Sequence, residues 1–542
     1  MTVCCWRNTA RRCANGLPMR MQLNFPAFRL AFSALALAAT ALQAAEPVTL
    51  APATMARKGT VDARFQSYNV EMVEVTGGRF WAPYKTQEAA KAQAPAASTL
   101  GAPALDPAAF RNREPINLAS PKLRKLAAAL GPAYVRVSGT WANSTYFQDS
   151  DAPAPATPPA GFGGVLTRAH WRGVLNFSKA TNAKLITSFA ISGGTRDAKG
   201  VWTPGEAAKV LAFTKAAGGE IAAAEFFNEP SFASMGGAPA GYDAAAYGRD
   251  FKVFLQFVKK NAPGMLILGP GSVGEAVPMG AALQVVHSQD MLTATGPGVD
   301  AFSYHFYGGV SKRCGYMAGA PLTAPAQALS EPWLTRTDRD AAFYETLRDR
   351  FEPGKPMWLT ETAETACGGN PWAASFLDSF RYLDQLGRLA KRGVQVVAHN
   401  TLAASDYGLI DEETLTPRPN YWAALLWHRL MGTTVLDVGA ANGLHVYAHC
   451  LAGKAGGVAV LALNPGSEPL SIAVPTSAGG YTLSSSSPEQ AIVDLNGHRL
   501  ALGVNDTLPR LKAVTIPAGN FTLAPATITF FEFSHAGNPA CR

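Results

Sequence analysis

The feature that most constrains this chain is an alternation. Between residues 68 and 402 eight apolar, β-rich segments recur, with helical patterns between most of them. The segments are "YNVEMVEVTG" (68–77), "AYVRVSG" (133–139), "KLITSFAISGG" (184–194), "AAAEFFNEP" (222–230), "MLILGPGS" (265–272), "DAFSYHFYGG" (300–309), "PMWLTETA" (356–363) and "VQVVAHNTL" (394–402). One intervening helix is marked at both ends in "SPKLRKLAAALG" (120–131): Ser120 as N-cap, Pro121 at the first position, Gly131 just past the end. Alternating β and α predicts a parallel sheet, and eight repeats predict a closed (β/α)8 TIM barrel over 60–430. After about residue 430 the pattern becomes short strands between turn residues, such as "LHVYAHCLA", "GVAVLALNP" and "ITFFEFS". That predicts a C-terminal antiparallel β-sandwich over 431–542, packed on the barrel, with residues 46–59 a candidate addition to it.

Hydrophobic content of 48% and charged content of 16% exclude a disordered chain. The formal net charge of +8 is spread without a polybasic run, so it reads as a solubilising surface rather than a mild attraction to anionic polymers, and no nucleic-acid partner is expected. The stretch "FRLAFSALALAATALQAAEP" offers Arg29, an apolar run and small residues at Ala44 and Ala45. It predicts a signal peptide over 1–45 and a secreted or periplasmic protein with no membrane anchor after processing. A start at Met19 or Met21 would give a more ordinary signal. Processing removes Cys4, Cys5 and Cys13 and leaves Cys314, Cys367, Cys450 and Cys541. In an oxidising compartment these four allow three disulfide pairings.

In a barrel of this kind the strand ends carry the chemistry. Here they carry Asn228 and Glu229, His305 and Tyr307, Glu361 and Glu364, and beyond the last strand Tyr407. Two carboxyls converging on one cleft are what glycoside hydrolysis requires. Leu359 and Glu361 share one strand face, and Glu361 is read as the last residue of the extended run, so Glu361 is assigned to the chemistry and Glu364 to the loop. The stretch "GPGSVG" (269–274) fits a dinucleotide fingerprint, but Glu275 would repel a pyrophosphate, Pro278 interrupts the helix start and Asp290 ends no strand. It is read as a glycine cluster of the barrel. His305 and His399 have no ligand partner at useful spacing and are read as hydrogen-bonding histidines; no metal and no cofactor are expected.

An ordered set of stretches covers most of the chain from about residue 60 onward: "SPKLRKLAAALGPAYVRVSGT", "FFNEPSF", "YHFY", "MWLTETAETACGGN", "SDYGLIDEETLTPRPNYWAALLWHRLMGTTVL", "DLNGHRLAL" and "DTLPRL…TITFFEF". It resembles the heparanase-like β-glucuronidases of glycoside hydrolase family 79. The resemblance implies a (β/α)8 barrel with a β-sandwich and retention of anomeric configuration. It implies Glu229 as acid/base, Glu361 as nucleophile, Asn228 on the sugar 2-hydroxyl and Tyr307 on the nucleophile. Gly368, Gly369 and Tyr407 would grip the uronate carboxylate, and Thr140 joins the substrate-binding set. It also implies a Cys450–Cys541 disulfide. With that pair made, Cys314 and Cys367 remain, both after strand ends, where a bridge would brace the loop of Gly368 and Gly369.

Three departures qualify the resemblance. The Pro/Ala/Gly loop "SDAPAPATPPAGFGG" (150–164) stands where mammalian heparanase has a long excised linker. "GPGSVGEAVPMG" carries no basic residue, and the first-strand acid that touches the sugar is not evident in "VEVTGGRF". The expectation is a monomeric retaining β-glucuronidase acting on a glucuronide or a glucuronate-containing oligosaccharide. Its alternatives are an endo-acting heparanase-like hydrolase and a non-catalytic glycan-binding protein.

Overall fold

The computed structural model describes residues 48–84, 109–277, 285–315, 323–439 and 444–542. The expected signal peptide lies outside them. Among the described residues no helix is long and apolar enough to cross a membrane.

Eight parallel strands close into a barrel in chain order: β1 (Gln66–Glu71), β2 (Ala133–Ser138), β3 (Ala183–Thr187), β4 (Ala223–Glu225), β5 (Leu266–Ser272), β6 (Ala301–Tyr307), β7 (Met357–Ala363) and β8 (Val396–His399). Closure is made by β8 on β1, with Val397 opposite Gln66 and His399 opposite Tyr68. Each strand is followed by a helix: α1 (Pro121–Ala129), α2 (Arg168–Ala180), α3 (Gly205–Ala216), α4 (Ala244–Asn261), α5 (Ser288–Thr295), α6 (Arg336–Phe351), α7 (Leu377–Arg392) and α8 (Pro419–Leu430). Parallel strands covered on both faces read as continuous apolar runs, and β6 and β7 are buried at every position. The expected caps hold α1: Ser120 Oγ accepts from the Leu123 N–H at 3.3 Å, with Pro121 in the first position.

Two boundaries differ from expectation. The first strand stops at Glu71, and Met72–Thr76 turn into a short helix. Glu74 causes this by reaching back, its carboxylate accepting from the Glu71 N–H at 2.9 Å. The segment Gly78–Trp81 then forms a hairpin ladder with Phe110–Arg113. β7 runs two residues beyond Glu361, because Thr362 still pairs with His399 of β8. The glycine cluster lies in and just after β5. Gly271, at φ +71°, brings its Cα against Glu225, where an added Cβ would sit 3.0 Å from a carboxylate oxygen.

The sandwich draws on both ends of the described chain. Its large sheet runs from Arg57–Thr60 through Met431–Leu436, His445–Leu451 and Val458–Asn464 to Thr527–Phe533 and Ala478–Ser484. The smaller sheet pairs Val48–Thr49 in parallel with Leu470–Val474, which pairs with Gly519–Leu523. α7 and α8 seat the barrel on the large sheet. Tyr447 lies flat over Gly387, where any Cβ would meet its ring at 2.3 Å, and the buried Asp384 accepts from His445 Nδ1 at 2.6 Å and from the Tyr447 hydroxyl. Cys450 and Cys541 are bridged within the sandwich, with Cα atoms 5.2 Å apart.

Candidate active site

The floor of the site is a buried ion pair. Arg136 on β2 and Glu225 on β4 point into the barrel, where a lone charge would be prohibitively expensive. Arg136 donates through Nε and Nη2 to Glu225 Oε2 at 3.0 and 2.7 Å. Ser303 of β6 and Thr360 of β7 donate to the other oxygen at 2.9 and 2.6 Å. Burial acts to raise the Glu225 pKa, but the Arg136 charge, then His305 and the Thr360 hydroxyl, outweigh it and hold the carboxyl well below its usual range. Arg136 has donors left over. Nη1 reaches Glu361 Oε2 at 2.7 Å, and Nη2 reaches Asn228 Oδ1 at 2.7 Å.

Glu361 is therefore gripped from two sides, since the Tyr307 hydroxyl donates to its other oxygen at 2.6 Å. Glu229 stands opposite in a different setting. Its backbone lies in the left-handed region, φ +50°, immediately before Pro230; such strain is tolerated where the surroundings over-determine it. Asn143 supplies that support by bonding both the N–H and the C=O of Asn228 at 2.8 Å. The Glu229 side chain is 18% exposed, against 6% for Glu361. Burial, then the nearby Glu361 charge against a contact from His305, push its pKa up from the ordinary carboxylate value.

His305 joins the two halves. Nδ1 lies 3.2 Å from Glu229 Oε1, and Nε2 lies 3.2 Å from Arg136 Nη2 and 3.6 Å from Glu225 Oε1. Burial and Arg136 act to lower its pKa, while Glu361, Glu225 and Glu229 raise it; the net is upward, to about 9. Glu229, His305 and Glu361 each bring one ligand atom within 4.8 Å of the others, close enough to surround a cation. A protonated His305 and the Arg136 guanidinium already supply that positive charge.

On the far side of Glu361, Asn400 donates to the Tyr307 hydroxyl at 3.0 Å, to Glu71 Oε1 at 3.1 Å and to the Tyr407 hydroxyl at 3.3 Å. Glu71 closes β1, just upstream of "VEVTGGRF". Burial, then the Glu361 charge, raise its pKa well above the carboxylate range. Its Oε2 presses on Gly139, where a Cβ would be 1.5 Å away.

The loop after β7 turns through three left-handed residues, Cys367, Gly368 and Gly369 (φ +64°, +83° and +80°). Glu364 is its buried brace, accepting from Asn370 N–H and Nδ2, each at 2.9 Å. Cys367 is bridged to Cys314 with Cα atoms 6.5 Å apart. Gly368 and Gly369 donate their N–H groups to no acceptor among the described residues, and the space beside Gly369 is filled by Tyr407, whose N lies 3.1 Å from where a Cβ would be. His399 accepts its place by bonding the Tyr407 carbonyl at 2.8 Å, and burial lowers its pKa to about 3, so it is a neutral structural histidine.

Of the expected site residues, Glu229, Glu361, Asn228, Tyr307 and Tyr407 thus belong to one hydrogen-bonded cluster, with Gly369 against Tyr407 and Gly368 against Ser405 and Trp81. Thr140 opens the turn after β2, half-buried, and no bond joins it to the carboxylate pair among the described residues. Sequence reasoning passed over Arg136, Glu225, Glu71 and Asn400. The available signal was a charge inside an otherwise apolar strand, as in "YVRVS" and "AAAEFF".

Residues 114–387, half of the chain, match the family described as "Glycosyl hydrolase family 79, N-terminal domain". The chain belongs to glycosyl hydrolase family 79. It is similar to a hyaluronoglucuronidase of Hirudo nipponia, 28% identical over 79% of this chain and 92% of that protein. It is also similar to the heparanase of Mus musculus, 26% identical over 78% and 88% of the two chains. Among solved structures it shares its fold with a 4-O-α-L-rhamnosyl-β-D-glucuronidase from Fusarium oxysporum, at 12% identity and a TM-score of 0.56 over 89% of this chain and 99% of that one. An α-L-arabinofuranosidase from Thermotoga maritima gives 13% and 0.58, over 89% and 98%. As a member of family 79 the protein is a glycoside hydrolase, heparanase-like in sequence.

Proposed function

We propose that the protein is a retaining β-glucuronidase, exported from the cell, working by double displacement. The observation that carries this is the carboxylate pair. One oxygen of Glu229 and one of Glu361 lie within 4.8 Å of each other, a close approach that suits the pair of a retaining enzyme, with carboxyl groups roughly 5–5.5 Å apart, better than the roughly 6.5–9.5 Å of inverting ones. Their environments also divide the labour. Glu229, held up in pKa and partly exposed, donates a proton to the glycosidic oxygen. Glu361, oriented by Arg136 and Tyr307, attacks the anomeric carbon. The bond to the leaving oxygen breaks as its proton arrives, and a glycosyl ester forms on Glu361. Glu229, now a carboxylate beside His305, takes a proton from water, which attacks the anomeric carbon and releases Glu361.

Glucuronate at the cleaved position is supported by the free N–H groups of Gly368 and Gly369, the latter packed against Tyr407. Consecutive amides in left-handed backbone suit an anion, and Glu364 and the Cys314–Cys367 bridge fix them before substrate arrives. Asn228 would meet the 2-hydroxyl, and burial with the neighbouring Glu361 charge, which raise the Glu71 pKa, favour a carboxyl able to donate to a further sugar hydroxyl. Two disulfides suit an oxidising compartment. An endo-acting heparanase-like hydrolase would use the same centre on an internal glucuronate, a reading favoured by the likeness to heparanase and hyaluronoglucuronidase.

The test compares aryl-glucuronide with aryl-glucoside. A glucoside leaves the carboxylate donors unpaired, each at a cost of about 1–3 kcal/mol, so wild type should prefer the glucuronide by at least several hundredfold in kcat/KM. Tyr407→Phe should narrow that gap. Equal cleavage of both substrates overturns the glucuronate pocket, and no cleavage of either leaves the endo-acting reading. Product sizes from heparan sulfate oligosaccharides separate exo from endo action.

A further inference from the structure

Away from the catalytic cluster a cavity of about 620 Å³ opens between the barrel and the sandwich. That is within the roughly 300–1,000 Å³ of small-molecule sites. Its wall comes from three places: Lys312 and Pro325 from the connection after β6, Asn370 and Trp372 from the connection after β7, and Glu489 from the sandwich.

The backbone at Lys312 and Glu489 and the side chains of Asn370 and Trp372 are fixed in advance. The Lys312 N–H donates to Asn370 Oδ1 at 2.9 Å, and the Cys314–Cys367 bridge ties the two loops together. Asn370 is held by Glu364. Trp372 packs edge-on against Trp333, ring centroids 6.3 Å apart. Glu489 is pinned on both sides, because the carbonyls of Pro488 and Gln490 accept from the N–H groups of Leu377 and Phe376 at 2.7 and 2.8 Å.

The polar groups of this wall are not satisfied by one another. Lys312 and Glu489 are exposed, and neither forms an ion pair among the described residues. Trp372 is 6% exposed, yet its indole N–H has no acceptor among the described residues. A buried donor without an acceptor is costly, and the described residues supply none here.

We propose that this cavity is an auxiliary glycan-binding site for an acidic sugar residue, outside the catalytic centre. The sugar oxyanion meets Lys312, a ring or hydroxyl oxygen accepts from Trp372, and hydroxyls donate to Glu489. The apolar face of the pyranose lies on Pro325 and the exposed edge of Trp372, the pairing of apolar wall and few polar groups expected of such sites. The oxyanion can be a uronate carboxylate or a sulfate ester. Occupancy would hold a polymer against the loop that carries Gly368 and Gly369. The inference rests on the glycan-hydrolase reading and adds a second point of contact to it.

Binding of wild type, Lys312→Ala, Trp372→Phe and Glu489→Gln to hyaluronan and to heparan sulfate, with neutral dextran as control, tests this in a Glu361→Gln background that prevents turnover. The same three substitutions in the active enzyme are assayed on a simple aryl-glucuronide. Trp372→Phe keeps the ring and removes only the N–H. Lys312→Ala should lose about fivefold in affinity for the acidic polymers, the most expected of an exposed ion pair. Trp372→Phe should lose about threefold or more, as for one neutral hydrogen bond. Aryl-glucuronide kcat/KM should stay within about twofold, since these residues lie outside the cleft. Losses on hyaluronan identify the carboxylate as the ligand, and losses on heparan sulfate alone identify the sulfate. Polymer binding that all three variants leave unchanged, or turnover that falls in step with binding, overturns the site. An active-enzyme series that ignores aryl-glucuronides while binding still depends on Lys312 overturns the glucuronidase reading instead and leaves the site standing.

Discussion

Replacing Tyr307 by phenylalanine removes one oxygen atom from the site and little else. The lost bond is the 2.6 Å donation to Glu361 Oε1. The other Glu361 oxygen keeps Arg136 at 2.7 Å, and Asn400 keeps Glu71 and Tyr407 as partners, so no buried donor is orphaned. A hydrogen bond to a charged group contributes about 1.5–3 kcal/mol, which at 1.36 kcal/mol per decade is about 10- to 150-fold in rate. The direction differs between the two chemical steps. The hydroxyl stabilises Glu361 as a free carboxylate, so it helps Glu361 depart from the glycosyl-enzyme and restrains its attack. Tyr307→Phe should therefore lower kcat on an activated aryl-glucuronide by about 10- to 150-fold while kcat/KM changes much less. Stopped-flow release of the aryl alcohol should show a burst equal to the enzyme concentration, and a glucuronyl adduct should accumulate on the peptide containing Glu361. A kcat within twofold of wild type, or an equal loss in kcat and kcat/KM without adduct, would falsify the role given to this hydroxyl.

Two further outcomes follow from the charges. Glu225→Gln removes one partner of a buried pair and should cost about 3–5 kcal/mol in denaturant unfolding at neutral pH; because the folded Glu225 pKa is depressed, that contribution is fully present above the unfolded value of 4.5 and should fade as pH falls below it toward the folded value. Glu229 must be protonated to act as the acid, so kcat/KM should fall as pH rises through its elevated pKa; Glu229→Ala should lose that limb on substrates whose leaving group needs no proton, with azide restoring turnover.

The barrel was legible because its strands are covered on both sides and so appear as apolar runs, and because caps such as Ser120–Pro121 mark the crossovers. Glu229 and Glu361 were legible for a related reason: a carboxylate at the end of an apolar strand needs an explanation. Arg136 was not, since one arginine in "YVRVS" looks the same whether it faces solvent or a glutamate on another strand. Its partners, Glu225 and Glu361, are brought to it only by barrel closure. The turn at Met72 was missed because five residues are too few to separate a helical period from an extended one, and the deciding contact, Glu74 to the Glu71 N–H, is a side-chain event. The cavity beside Trp372 was invisible for the same reason as Arg136: its wall is assembled from three stretches far apart in the chain.

The strand Arg57–Thr60 completes the edge of the large sheet by pairing with Met431–Leu436, Gly59 opposite Val435. A ribosome working at about 5–20 residues per second makes Val435 tens of seconds after Gly59. Through that interval the start of the sandwich has no neighbour to zip against, and the whole barrel is threaded between it and its mate. The sandwich is thus not a tail that can be cut away: deleting either the first strands or the last ones leaves the remainder with an unpaired edge, and two fragments would have to find each other to restore it.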